Sequence, residues 1–340
     1  MLAAQYLGPD QVRAVDVAMP VIGEGEALLA VEACGFCGTD LSIVGGTHPR
    51  AKAPLTLGHE ICGRIVEIDS AGSNLAAGDR AVVYPLIVCG ECHACTHGND
   101  HVCRSLRLFG IDADGGMAEY VKLPVSSLMK LPDGIPARIG ALIEPLAVAV
   151  HGVSRASLEG VELAVVMGAG PIGLLTALAA KARGVPRVLI SDVRSSRLEL
   201  AASIGLHAVA AGDELRSVVM AFSKQNGADL VFECAGAPAT GREMTALTRS
   251  RGTIVNLGVF KKPVEVDMQA INFKEIQMLG SRVYRHEDFD AAIELAMKLP
   301  LQRIVTQTFG LHEVAKAFEL FRTGEVCKAL IVPGQGSQVR

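Results

Sequence analysis

Residues 163–192 leave this chain little choice of architecture. They run Leu163-Ala-Val-Val-Met167, then Gly168-Ala-Gly170-Pro171-Ile172-Gly173, then an alanine- and leucine-rich segment, then Val188-Leu-Ile-Ser-Asp192. An apolar, β-branched pentapeptide without charge is what a central parallel strand covered on both faces requires. Three glycines at this spacing follow it: the first suits a tight turn, the second leaves backbone open to a ligand, and the third lets a helix pack close to the sheet. Glycine is abundant here, and an ordinary strand, helix, strand crossover could carry such a spacing by chance. The strand before, the helix after and an acid ending the next strand, 19 residues past Gly173, favour a unit that holds a dinucleotide.

Within that unit Gly168, Gly170, Pro171, Ile172 and Gly173 are the phosphate-side candidates, because orphan N–H groups at the helix start face the pyrophosphate. Asp192 is the candidate selector for NAD. Its carboxylate can accept both ribose hydroxyls and would repel a 2′-phosphate. Arg194 and Arg197 point mildly the other way. Both read as solvated charges on the first turn of the following helix, with Arg197 kept among the cofactor-side candidates.

A chain of 340 residues, half of them hydrophobic, is long enough for two domains with real cores. A net charge of −4 offers no basic footprint for nucleic acid or for an anionic membrane. Neither an 18-residue apolar run nor a signal-peptide pattern is found, so the expectation is a soluble, cytoplasmic protein.

Residues 1–85 alternate short β-like runs with turns, including Ala27-Leu-Leu-Ala-Val-Glu-Ala33 and Ile61-Cys-Gly-Arg-Ile-Val-Glu-Ile68. That pattern suggests a small barrel or sandwich. From residue 163 to about 284, strand and helix periods alternate, as in a doubly wound parallel sheet. The tail, with helices over 289–299 and 311–323 and a strand over 329–332, reads as the closing part of the first domain. The expected division is therefore 1–148 with 285–340, and 149–284, inferred from the change in periodicity alone.

Nine cysteines could mark disulfides, but their placement argues for metal. Cys89, Cys92, Cys95 and Cys103 supply four thiolates within fifteen residues, enough for a closed tetrahedral site. Zinc fits best; an iron–sulfur cluster or two disulfides would use the same sulfurs. Four ligands leave no open position, which makes the role structural. His93, His97 and His101 between them read as solvated loop residues.

A second set is scattered. Cys34-Gly-Phe-Cys37-Gly-Thr39-Asp40 and Gly58-His59-Glu60 lie upstream, and Ile143-Glu144-Pro145 lies downstream. Each piece alone has a bland explanation: a small core cysteine, a satisfied histidine, a surface glutamate. Together they make a Cys, His, Glu, Glu set that can hold zinc and keep a place for water or an alcohol.

The order of these motifs, with Gly78-Asp79-Arg80, Gly115-Gly-Met-Ala-Glu-Tyr120 and Leu131-Pro132 between them, resembles the zinc-dependent medium-chain alcohol dehydrogenases over essentially the whole chain. It looks nearest the sorbitol, polyol, butanediol and threonine branch, because Glu144 stands where the ethanol-oxidising branch has a third ligand cysteine. The resemblance implies a GroES-like β-rich catalytic domain joined to a Rossmann domain, two zinc ions per chain, and NAD. It implies that Cys37, His59 and one or both of Glu60 and Glu144 surround the catalytic zinc, with the four-cysteine loop holding the other. Cys34, Cys62, Cys234 and Cys327 match no ligand position and read as buried small hydrophobes.

The implied chemistry is oxidation of an alcohol, with zinc acidifying its hydroxyl and hydride passing to the nicotinamide. Thr39 is the candidate first proton acceptor. Many relatives carry a histidine three residues beyond it, where this chain has Ser42, so protons must leave through Ser42 and water or through a group such as His48. Tyr284 could bond a substrate hydroxyl, whereas Arg282 and Arg285 could bind a carboxylate if they are not surface cations. The expected substrate is a polyol or vicinal diol, with L-threonine and sugar acids next. A non-catalytic dinucleotide sensor on the same fold is the alternative of a different class. The apolar edge near Lys274-Glu-Ile-Gln-Met-Leu279 and the relatives' assemblies lead us to expect a homodimer or homotetramer.

Overall fold

The computed structural model describes residues 1–69 and 73–334, with the backbone of 338–339. The chain divides into two compact units, Met1–Glu144 with Ile304–Arg340, and Pro145–Arg303.

The first unit is built on an eight-stranded sheet. Its order runs Leu128–Lys130, Arg80–Val83, Glu60–Ile68, Glu26–Gly35, Lys328–Ile331, Val305–Phe309 and Gln338–Val339, and Tyr120–Pro124 also pairs with Glu26–Gly35. A three-stranded sheet of Gln11–Asp16, Leu2–Gly8 and Leu55–Thr56 accompanies it. Glu26–Gly35 is the hub because most of its side chains, Leu29, Ala33 and Cys34 among them, are fully buried. Register then does the positioning: Gly35 sits opposite Glu60 on one side and Leu330 on the other. A chemical group at the end of any of these three strands is thereby brought beside the others.

The second unit holds a six-stranded parallel sheet in the order His207–Ala210, Arg187–Asp192, Leu163–Met167, Ala228–Glu233, Thr248–Asn256, Gln277–Gly280. Leu163–Met167 is buried at every position, as its composition requires. Leu163, Val165, Met167, Leu189, Val231, Met244 and Ile254 share one core, each fully buried side chain of that size contributing about 1.5–3 kcal/mol. Parallel register lines up Ser191, Met167, Glu233, Asn256 and Gly280 in one row across the carboxyl ends of the strands. In a doubly wound sheet that row borders the ligand crevice.

The helix expected over 289–299 forms at His286–Ala296, and it lies in the second unit rather than closing the first. Asp288 takes His151 Nδ1 at 2.7 Å and the Ser154 hydroxyl at 3.2 Å, and Phe289 packs on Tyr284 at 5.4 Å between centroids. Amphipathic periodicity announces that a helix has a core face but not which core it meets. Tyr284 is fully buried, with its ring on Phe289. Among the described residues no helix is long and apolar enough to cross a membrane.

Candidate functional site

The four-cysteine loop brings its sulfurs together without help from the sheets. Cys89–Cys103 and Cys92–Cys95 are 3.5 Å apart between Sγ atoms, and Cys89–Cys95 and Cys92–Cys103 are 3.9 Å apart. Tetrahedral zinc–sulfur bonds of about 2.3 Å would set the sulfurs about 3.8 Å apart, so the set fits a zinc ion. Among the described residues no two cysteines form a disulfide. Backbone N–H groups account for much of the electrostatics: those of Glu91 and Cys92 hold the Cys89 thiol low, and those of Arg104 and Cys95 do so for Cys92. Cys95 is pushed up to about 12, by burial and by the neighbouring sulfurs. A cluster that stabilises thiolates yet crowds them calls for a dication at its centre. Of the histidines between, His93 and His97 are exposed and stack on one another at 4.1 Å, but His101 is buried rather than solvated.

The second site is assembled from distant residues. Cys37 is the N-cap of the short helix Gly38–Val44, whose Asp40 accepts the Cys37 N–H at 2.8 Å. His59 and Glu60 follow Gly58, whose φ of +94° and close packing against Cys34 and Met117 admit only glycine. The ligand atoms of Cys37, His59 and Glu60 lie within 4.8 Å of one another. Gly35, opposite Glu60, is also required, because a Cβ there would occupy the Glu60 carboxylate's place. Glu60 is 1% exposed, so it is no surface charge.

Buried carboxylates dominate this neighbourhood: Asp40, Glu60 and Glu144 are all shielded from water. Burial pulls the His59 pKa down, but Cys37, Asp40 and Glu144 outweigh it and hold the imidazole well above its usual value. His59 Nδ1 has no hydrogen-bond partner and lies 4.0 Å from Asp40 Oδ1. An orphaned buried nitrogen among a thiol and three carboxylates is a donor set that suits zinc. The residue that sequence reasoning missed is Lys328, fully buried on its strand, which pairs with the Glu60 carboxylate and donates to Phe36 O at 2.8 Å. Its only signal was a lone charge within Val326-Cys-Lys-Ala-Leu-Ile-Val332. Asp40 was visible in its motif, but nothing there gave it a role.

Thr39 Oγ1 lies 3.6 Å from Cys37 Sγ. Ser42, in contrast, turns its hydroxyl back to Gly38 O at 3.3 Å, and His48 Nδ1 accepts from the N–H groups of Arg50 and Ala51 at 3.4 and 3.3 Å. Arg282 is exposed and Arg285 pairs with Glu287 at 3.2 Å.

In the second unit, Gly168 takes a φ of +102° and sends its N–H to Ser191 O at 2.7 Å. Gly170 caps the helix Pro171–Ala182, with Pro171 in the first turn and open space where a Cβ would stand. Gly173 has no such space; a Cβ would run into Gly168 O. Asp192 ends its strand with Oδ2 accepting from Ala169 N at 2.8 Å and Oδ1 from Arg194 N at 3.0 Å. Arg194 is exposed as expected, but Arg197 is half-buried rather than solvated.

Comparison with known proteins agrees with both units. An alcohol dehydrogenase GroES-like domain model matches residues 23–133, and a zinc-binding dehydrogenase model matches residues 171–298. The 2-dehydro-3-deoxy-L-galactonate 5-dehydrogenase of Pseudoalteromonas atlantica is 37% identical over 94% of each chain. The chain belongs to the zinc-dependent medium-chain alcohol dehydrogenase family. Sorbitol dehydrogenase of Halalkalibacterium halodurans is 33% identical, over 92% of this chain and 93% of its own. The solved structure of a zinc-binding dehydrogenase from Sinorhizobium meliloti bound to NADP superposes with a TM-score of 0.90 at 33% identity, covering 98% of this chain and 99% of the other. As a member of the family, this protein combines a GroES-like domain with a Rossmann-like one and is an oxidoreductase acting on CH–OH groups.

Proposed function

We propose that this dehydrogenase oxidises a secondary hydroxyl of a polyol or vicinal diol to a ketone and passes the hydride to NAD. The observation that carries the reading is the buried Cys37, His59, Glu60 cluster, with the further carboxylate of Glu144 close enough to raise the His59 pKa. Cys37 and His59 would hold the catalytic zinc together with Glu60, Glu144 or both, and Cys89, Cys92, Cys95 and Cys103 would hold the structural one. When bound, the catalytic zinc supplies Lewis acidity that lowers the pKa of an alcohol hydroxyl.

The remaining work falls to the chain itself. Asp40 anchors the Cys37 N–H and faces His59, so it fixes how both present their donor atoms. Thr39, beside Cys37, takes the hydroxyl proton. Ser42, whose hydroxyl donates to Gly38 O but keeps acceptor lone pairs, would pass it on with water, or His48 would take it. The Asp192 oxygens already accept backbone N–H groups, which fixes the carboxylate while leaving further lone pairs for the two ribose hydroxyls of NAD. A 2′-phosphate would meet that charge directly.

A sugar acid is the second reading, favoured by the 37% identity to an enzyme named for such a substrate. Assembly as a homodimer or homotetramer is supported by the edge strand Gln277–Gly280, with Met268, Phe273 and Met278 exposed on or before it. Work in the reducing cytoplasm agrees with nine cysteines that form no disulfide among the described residues. The test is a screen for NAD reduction over polyols, diols, L-threonine and aldonic acids, repeated with NADP, on protein assayed for zinc. Turnover of aldonic acids alone would replace the polyol reading. A preference for NADP would overturn the role given to Asp192, and protein that holds one zinc or none with no turnover would be a sensor.

A further inference from the structure

Glu233 is a glutamate on a central strand of the hydrophobic parallel sheet. It ends the strand Ala228–Glu233, is 0% exposed, and its Oε2 has no hydrogen-bond partner. Burying a carboxyl opposes folding unless hydrogen bonds offset the lost hydration, so the partners it keeps are the clue to its role. Burial raises its pKa despite the hydrogen bonds it accepts.

Those bonds share a theme. Oε1 receives the N–H groups of Ala235 at 3.0 Å and Gly236 at 2.9 Å, and the Thr240 hydroxyl at 2.7 Å. The main-chain carbonyl of the same residue receives the N–H groups of Leu257 and Gly258, both at 2.9 Å. Oε2 rests where a Cβ on Gly258 would have to go, and Gly236, at φ +61°, packs closely on the backbone of Val259. Ala235 in turn lies 3.0 Å from the place of a Gly168 Cβ, on the glycine-rich turn. One side chain and its carbonyl thus bind the loops of residues 234–236 and 257–258 to each other, with the glycine-rich turn against them.

The place of this knot in the sheet gives it meaning. Met167 and Glu233 are register partners on the two central strands, where the order of strands reverses and where doubly wound folds open their crevice. The first half of such a fold, here with the glycine-rich turn and Asp192, takes the adenosine side of a dinucleotide; the second half begins with the strand that Glu233 ends. We infer that Glu233 is a positioning residue for the nicotinamide half of the cofactor, fixing the two strand-end loops on which that half rests. It does so by shape: Oε1 is the shared acceptor and Oε2 the wedge against Gly258. The inference rests on the dinucleotide reading above.

Its test separates the two halves of the ligand. The chain has no tryptophan, so NADH or NADPH emission can be titrated without indole background, and ADP affinity follows by calorimetry. Glu233→Ala is expected to weaken reduced-cofactor binding about tenfold while ADP affinity moves by under about twofold. Glu233→Gln, which keeps the Oε1 acceptor, is expected to stay within about threefold of the unaltered protein. Should Glu233→Ala fail to fold, Thr240→Val removes one donor from the knot and is expected to show the same split, at about threefold. Equal loss of ADP and reduced cofactor, no loss of either, or Glu233→Gln as weak as Glu233→Ala would overturn the assignment. If the unaltered protein binds neither NADH nor NADPH, the dinucleotide reading itself falls and takes this one with it.

Discussion

The two ligand sets of the first unit that could hold a metal ion are built in opposite ways. The four-cysteine set spans fifteen residues of one loop, and its fit to zinc is decided locally by Sγ separations of 3.5–3.9 Å. The Cys37, His59, Glu60 set comes from the end of one strand and the start of another, with Lys328 reaching in from a third. The local set has four thiols and nothing else to do. The distributed set has an orphaned imidazole nitrogen, an ion pair and nearby carboxylates, which is the asymmetry of a site meant to exchange something. On the proposed function, the local set would serve stability and the distributed set chemistry that the whole sheet must support.

The sharpest way to break this contrast is to remove one ligand from each set. His59→Ala should lower turnover by at least about 10³-fold, with thermal unfolding within a few degrees of the parent. Cys92→Ser should do the reverse first: one zinc lost by metal analysis and a melting temperature lower by about 10 °C, from a loss of about 3–5 kcal/mol. If both variants lose activity and stability in parallel, the division of labour is wrong. Lys328→Met probes the support of the distributed site. It leaves the Glu60 carboxylate buried without its partner, and urea unfolding of chelator-treated protein should show a loss of about 3 kcal/mol.

Within the catalytic set, Thr39→Ala should slow turnover about 10²-fold and Ser42→Ala by under about threefold. Comparable losses would mean that the proton leaves by another route. The smallest effect lies away from both ligand sets. Burial pushes the Asp288 carboxyl up, but hydrogen bonds from His151, the Arg285 N–H and Ser154 outweigh it and hold the pKa below its usual value. A lowered folded value contributes stability that is complete above the unfolded pKa of about 3.9 and is lost as pH falls through the folded one. Asp288→Asn should therefore lower stability at pH 7 by about 1–2 kcal/mol and flatten the acid limb of the unfolding curve, with zinc content unchanged. A change in zinc content would tie this residue to the metals after all.

Much of the fold was legible because its signals are short-range. The glycine-rich turn, the buried pentapeptide before it and the four-cysteine spacing each state their geometry within a few residues. Glu233, Lys328 and His101 were illegible for one reason: a charged or polar residue carries no mark of burial until its neighbours are known. The helix His286–Ala296 was legible as a helix and misassigned as to its unit, because Asp288 declares its partner only when His151 is beside it.

By itself, then, the sequence determined the family, the glycine-rich turn after a buried strand and the gathering of four thiols on one loop. Tertiary structure decided which of the scattered carboxylates approach Cys37 and His59, which lysine balances them, and which glutamate ties the loops at the crevice. The physical reason is range. Turn geometry and ligand spacing are set by covalent reach along the chain, whereas desolvation and charge pairing depend on what the sheet register brings alongside.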